Sequence, residues 1–396
     1  MWSAFLKLLL FQVLPSLLVL AQSESSIRDN QTEQSASMVS MRRRTNNSFP
    51  ISVGIFQGNI TYYANVTIGS PPQTFRLMLH FASGTTWVGA NTVYRSETAD
   101  HLSFDVDVRY GFGSMTGEMV MDTMTLGPGL TTEVAFGNAS NAAGFQDFDG
   151  VLGLGRKELT QGTIFPPPPS LFGTPLDYLF MNGMIPEPEV GVYYQPVRTV
   201  PFGAELTFGG IDEGKIVGPI IKVPNAENNI FKDFWTLNAS IQYGGLSLTD
   251  GEIMTGIIDG GSAFTYLRDD IFQKYLSLTG AKLENNGYYN VSNFPGMQDL
   301  TFTVFGNNNI TLVPDAQIWP RSQNDRLRSL HPDDNIYLAI GDLSGPSDSS
   351  SLAFILGYNF LERYYTAYDT ADLTIIISPT SMTNTIVNSL VPFRPI

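Results

Sequence analysis

Ile257-Ile258-Asp259-Gly260-Gly261-Ser262-Ala263-Phe264-Thr265-Tyr266-Leu267 is the stretch on which the fold turns. An apolar strand runs into a carboxylate, then into a glycine-rich tight turn, then into a second apolar run. An aspartate at the end of a buried strand is costly to desolvate, so Asp259 reads as a functional group rather than a turn residue. The first half of the chain has a counterpart: Phe75-Arg76-Leu77-Met78-Leu79 runs straight into His80-Phe81-Ala82-Ser83. Each loop is followed downstream by an apolar strand containing glycine, Gly150-Val151-Leu152-Gly153-Leu154-Gly155 and then Phe354-Ile355-Leu356-Gly357. One order of parts used twice predicts two similar lobes about a pseudo-two-fold axis, with one loop of each lobe facing the other.

The composition fits that reading. The chain has 396 residues, 43% hydrophobic and 15% charged, with 37 Gly and 24 Pro. This suits a turn-rich, mostly β protein with two cores and argues against a disordered or coiled-coil chain. Helical periodicity is sparse and predicts helices over Pro175 to Met181 and Asp269 to Leu278, the second capped by Asp269. Tyr62 to Ile68 is a predicted strand, and Pro166 to Pro169 a stiff surface insertion. The net charge of −15 argues against a nucleic-acid partner. Three histidines and no cysteine give no metal-ligand cluster, and no cofactor is expected. His101 and His331 sit in polar stretches and are expected at the surface. Gly111-Phe112-Gly113 has the wrong spacing for a phosphate loop and reads as a hairpin tip.

The N-terminus predicts secretion. Lys7 precedes the apolar run Leu8 to Leu20, and Val19-Leu20-Ala21 offers a cleavage site, so residues 1–21 read as a signal peptide. Residues 22–44 are Ser/Gln-rich, end in Arg42-Arg43-Arg44 and read as a pro-segment. The lobes are expected over 45–222 and 223–396. No membrane anchor is visible, and the last residues carry no lipid-anchor signal. Glycosylation signals at Asn30, Asn46, Asn59, Asn65, Asn138, Asn238, Asn290 and Asn309 fit an extracellular protein that passed through a secretory route.

The ordered motifs resemble the pepsin family over nearly all of residues 50–380. Tyr63-Ala64-Asn65-Val66-Thr67-Ile68-Gly69-Ser70-Pro71-Pro72-Gln73 is similar to its first hairpin, and Trp87-Val88 to the Trp after its first active-site loop. Tyr110-Gly111-Phe112-Gly113-Ser114-Met115-Thr116-Gly117 resembles its flap, and Phe148-Asp149-Gly150-Val151-Leu152-Gly153-Leu154 another of its signatures. Phe208-Gly209-Gly210-Ile211-Asp212 and Tyr364-Tyr365-Thr366 complete the set, and the second active-site loop is nearest to secreted fungal, yapsin-like members. The resemblance implies an all-β, bilobal pepsin-like fold with a central cleft and a hairpin flap. It implies catalytic positions at Asp259 and His80, supporting hydroxyls at Ser83 and Ser262, and substrate contacts at Tyr110, Gly111, Trp87 and Gly261.

The family's chemistry uses two aspartates about 3 Å apart that share one proton across a water, pepsin itself being the standard illustration. Its loops read Asp-Thr/Ser-Gly, where the middle hydroxyls tie the lobes together. Here Asp259 is kept, but Gly260 replaces one hydroxyl residue, and the first loop reads His80-Phe81-Ala82. An imidazolium–carboxylate pair is expected, each charge favouring the other, with His80 titrating above its usual value. A carboxylate so held is a weaker base, and the missing hydroxyls predict looser loops. A histidine-bearing malarial member shows that His at this position does not by itself exclude proteolysis. Three functions follow: a secreted, monomeric aspartic-type endopeptidase with altered activity, a pseudopeptidase that binds peptides or a partner protein, or a cleft recruited to a non-proteolytic reaction.

Overall fold

The structure, a computed structural model, describes residues 50–58, 61–196, 204–227, 230–285, 287–327, 335–343 and 352–388. The expected signal peptide, the pro-segment, Asn30, Asn46, Asn59 and His331 lie outside these residues.

Two large sheets form the cores of the lobes, and a third joins them. The first-lobe sheet has nine strands, running in space from Ile164–Phe165 through Asp100–Arg109, Ser114–Gly127 and Leu130–Ala143 to Gln73–His80, Thr61–Ile68 and Phe56–Gly58. Strand Thr61–Ile68 alternates buried and accessible positions along its length, which places Tyr62, Ala64, Val66 and Ile68 in the core. Replacing a fully buried ring such as Phe75 by Ala costs about 3–5 kcal/mol. The second-lobe sheet has eight strands built around Thr236–Tyr243, Met254–Ile258 and Leu352–Leu356.

The sequence repeat becomes a repeated piece of geometry. Gln73–His80 lies parallel to Gly150–Gly153, with Leu77 opposite Gly150 and His80 opposite Gly153. In the second lobe Met254–Ile258 lies parallel to Leu352–Leu356, with Ile258 opposite Leu356. The loops at His80 and Asp259 thus each leave a strand that is held by a parallel strand found downstream in sequence, with glycine inside the first partner and Gly357 just past the end of the second.

The third sheet has six strands: Ile51–Gly54, Glu205–Phe208, Glu189–Tyr193, Tyr364–Asp369, Thr374–Pro379 and Ile221–Pro224. Its central pairing, Glu189–Tyr193 against Tyr364–Asp369, joins the two halves of the chain, and Ile221–Pro224 straddles the expected boundary at 222/223.

Both predicted helices form. Pro175–Met181 is capped by Thr174, whose side chain accepts from the Asp177 N–H while Asp177 returns a bond to the Thr174 N–H. The second helix covers Asp269–Thr279, but Asp269 is not its cap. Arg268 holds that position without a side-chain bond, and Asp269 is the first helical residue, where it accepts from Gln273 Nε2 at 3.0 Å. Its negative charge still suits the positive end of the helix dipole. Pro166, Pro167 and Pro169 are exposed, as expected of a surface insertion.

Candidate active site

His80 is the last residue of its strand, and Asp259 directly follows Ile258 at the end of the matching one. The two loops bring them together from opposite lobes, with His80 Nδ1 at 3.8 Å from Asp259 Oδ1. Only 5% of the imidazole and 14% of the carboxylate is exposed.

Asp259 is held by its own loop. Gly261 N–H donates to Oδ1 at 2.8 Å, and the Ser262 hydroxyl donates to Oδ2 at 2.7 Å.

His80 differs from expectation. Its Nδ1 accepts the Ala82 N–H at 3.2 Å, which requires a lone pair at that nitrogen. Burial pushes its pKa below the ordinary histidine value of 6.5, outweighing the opposing pull of Asp259. The expected imidazolium–carboxylate pair is thus replaced by a neutral imidazole beside a carboxylate. Desolvation of a cation in a nearly closed pocket is larger than the attraction of one carboxylate at 3.8 Å. With Nδ1 an acceptor, the proton sits on Nε2. That edge of the ring lies over Gly261: a Cβ there would come within 2.6 Å of Nε2, so the imidazole occupies its place only because residue 261 has no side chain.

Ser83 also departs from its expected role. Its hydroxyl exchanges bonds with Thr85, accepting from the N–H at 3.3 Å and donating to the carbonyl at 3.4 Å, and it bonds Tyr110 rather than His80. The Ala82 N–H, rather than the Ser83 hydroxyl, is the donor to the His80 side chain.

Tyr110 closes the site from above. It heads the turn between flap strands Asp100–Arg109 and Ser114–Gly127, with its N–H donating to the Gly113 carbonyl at 2.7 Å and Gly111 in the turn itself. Its ring is 5.4 Å from the His80 ring. Trp87 Nε1 donates to the Tyr110 hydroxyl at 2.8 Å, and Phe145 packs edge-on against both. Burial pushes the Tyr110 hydroxyl up to about 12, so it stays protonated.

Two features escaped the sequence. The Phe81 ring fills the space beside Gly260, where a Cβ would stand 3.1 Å from Phe81 Cδ2. Beneath the loops, Tyr62 of the first lobe donates to Glu362 of the second at 2.8 Å, and burial pushes the Glu362 carboxyl up to about 7. Neither has a local motif, because each partner comes from a different lobe.

Of the other sequence-predicted positions, His101 is exposed and 3.2 Å from Glu118. Asn65, Asn238 and Asn309 are exposed, whereas Asn138 and Asn290 are partly buried and use Nδ2 to bond Glu118 and Glu284, respectively. Among the described residues no group of His, Cys, Asp and Glu is arranged to hold a metal, and no helix is long and apolar enough to cross a membrane.

Comparison with known proteins places this geometry. The profile of the family described as eukaryotic aspartyl protease matches residues 61–380. The chain is 35% identical to polyporopepsin of Irpex lacteus over 329 residues, which is 82% of this chain and 95% of that protein. Vacuolar protease A of Neurospora crassa is 26% identical over 83% of this chain and 81% of its own length. The crystal structure of an aspartic proteinase from Irpex lacteus superposes with a TM-score of 0.81 at 35% identity, covering 86% of this chain and all of that one.

Proposed function

Because this chain belongs to the eukaryotic aspartyl protease family, we propose that it is an endopeptidase in which Asp259 is the sole carboxylate of the reactive pair and the neighbouring neutral His80 is the hydrogen-bond donor to substrate. The observation that carries the reading is the Ala82 N–H bond to His80 Nδ1, which leaves a proton on Nε2 rather than a cation. Asp259 takes a proton from water as the water oxygen bonds to the peptide carbonyl carbon. His80 Nε2–H donates to the carbonyl oxygen as negative charge develops there, a role a neutral imidazole can fill. The proton on Asp259 then passes to the amide nitrogen as the C–N bond breaks, so one carboxylate serves as base and then acid. Tyr110 closes over bound peptide.

This scheme needs an ionised carboxylate and an uncharged imidazole. Activity then extends to neutral pH and is lost in acid, the reverse of a dyad that must keep one shared proton. At low pH a protonated Nδ1 meets the Ala82 N–H donor to donor, and the pair becomes an ion pair with a weaker base.

A second reading, a pseudopeptidase that binds peptides without cutting, is favoured by one observation: the imidazole is 95% covered and already packed against Gly261 and Tyr110. The test is an unbiased peptide library with the processed protein over pH 3–8. Turnover that peaks near neutrality and vanishes in Asp259→Ala supports the peptidase. Saturable peptide binding with no turnover at any pH replaces it by the second reading.

We place the protein outside the cell as a glycosylated monomer, with residues 1–21 as leader, 22–44 as pro-segment and lobes over 45–222 and 223–396. The N-terminal sequence and the accessible Asn65, Asn238 and Asn309 support this, and intact mass of the secreted protein with N-terminal sequencing tests it.

A further inference from the structure

The two reactive loops share a plan. In each, the reactive residue is followed by a residue that faces the other lobe, and then by one whose N–H bonds back to the reactive side chain. The order is His80, Phe81, Ala82 in the first loop and Asp259, Gly260, Gly261 in the second. The two middle residues meet. Phe81 is fully buried, with its ring centroid 4.6 Å from that of Tyr368. A Cβ at residue 260 would lie 3.1 Å from Phe81 Cδ2, 3.8 Å from Cε2 and 3.4 Å from the Tyr194 hydroxyl. Gly260 is not in the left-handed region of backbone space, so conformation does not demand glycine there. The neighbouring ring leaves little room instead: a Cβ there would press on it by a few tenths of an ångström. One loop has gained an aromatic ring and the other has lost its side chain, so that volume is exchanged across the lobe boundary.

We infer that Phe81 and Gly260 are a matched pair of positioning residues: the ring seated on the glycine sets the distance between His80 and Asp259, in place of a hydrogen bond between two hydroxyl residues. A second observation agrees. The Tyr194 hydroxyl, buried and without a hydrogen-bond partner, lies where a hydroxyl on residue 260 would reach it. The pocket retains polar lining for a side chain that is no longer present. Phe81 acts through the backbone on either side of it. Shifting the ring shifts the Ala82 N–H that holds the imidazole, and opens the His80 pocket to water.

This inference rests on His80 and Asp259 being the reactive pair, and its test is read on His80 itself. The variants are Phe81→Thr, Gly260→Thr and the double variant carrying both, with the His80 ring followed by NMR titration alongside thermal melting and kcat. Gly260→Thr alone forces the ring aside. The His80 midpoint then rises toward the ordinary value of ~6.5 as the ring hydrates, the melting temperature drops, and kcat falls by about 10²-fold. The double variant, with two hydroxyls able to bond each other and Tyr194, recovers most of each loss. Should Gly260→Thr not fold, Gly260→Ala presents the same 3.1 Å contact with a single methyl and moves the His80 midpoint in the same direction. Additive effects in the double variant, or a His80 midpoint unmoved by either substitution at 260, overturn the matched pair. A protein without turnover that still shows the coupled His80 shifts removes the peptidase reading and leaves the pair standing.

Discussion

The loop at His80 and the loop at Asp259 have one backbone plan and two chemistries. Both end strands held by a parallel partner from further along the chain, and in both the residue two positions on donates its N–H to the side chain of His80 or Asp259, at 3.2 Å in the first and 2.8 Å in the second. They part at the next residue. Ser262 turns to Asp259, whereas Ser83 turns away to Thr85 and Tyr110. An acceptor carboxylate has room for two donors, but an imidazole nitrogen has one lone pair, already used by Ala82. The scaffold is thus indifferent to the reactive group, and the group selects which of the scaffold's donors it engages.

The largest way to break this comparison is to remove its carboxylate side. Asp259→Ala is expected to lower kcat by at least about 10²–10⁴-fold, and a variant that keeps near wild-type turnover on the peptide library would falsify Asp259 as the base. Making the loops alike is next. In His80→Asp the Ala82 N–H is kept as a donor to a carboxylate, so turnover at pH 4 should rise about 10²-fold and the optimum move to acid. An unchanged profile means that the loops do not share a plan. The serines sharpen the contrast further. Ser262→Ala removes a hydrogen bond to a charged group, worth about 1.5–3 kcal/mol, and should cost at least about tenfold in kcat. Ser83→Ala loses only the long bonds to Thr85 and one to Tyr110, so its kcat should stay within about threefold. Equal effects of the two substitutions, measured side by side, erase the distinction.

The smallest effect is in stability against pH. His80 titrates below 6.5 in the fold, so as pH falls through 6.5 the unfolded chain takes up a proton that the fold resists, and stability drops. Glu362 works the other way: its folded pKa, raised from 4.5 to about 7, contributes stability that is present below 4.5 and lost as pH rises through about 7. Melting curves of Glu362→Gln between pH 4 and 8 should lose the decline toward neutrality and expose the acid-side decline due to His80. A curve identical to wild type removes Glu362 from that role.

The repeat, the flap hairpin, the approach of His80 to Asp259 and both helices were legible because each is written in short, continuous stretches. The sign of the His80 shift was not, since it depends on how far burial outweighs one carboxylate, and sequence shows only that both act. Reading Phe81 and Gly260 separately marks each as a lost hydroxyl; only across the lobe boundary do they become one contact. The Tyr62–Glu362 bond links residues 300 positions apart and was invisible for the same reason. Asp269 was one residue out because the helix takes the preceding Arg268 as its boundary, a margin common at helix ends.

The six-stranded sheet carries a consequence for the chain as a whole. Because Glu189–Tyr193 and Tyr364–Asp369 are hydrogen-bonded neighbours, the backbone between the lobes is not what keeps them together. A polypeptide severed between the lobes, in the turn at the exposed Lys232, should stay assembled through that sheet, and two separately produced fragments should find each other and complement.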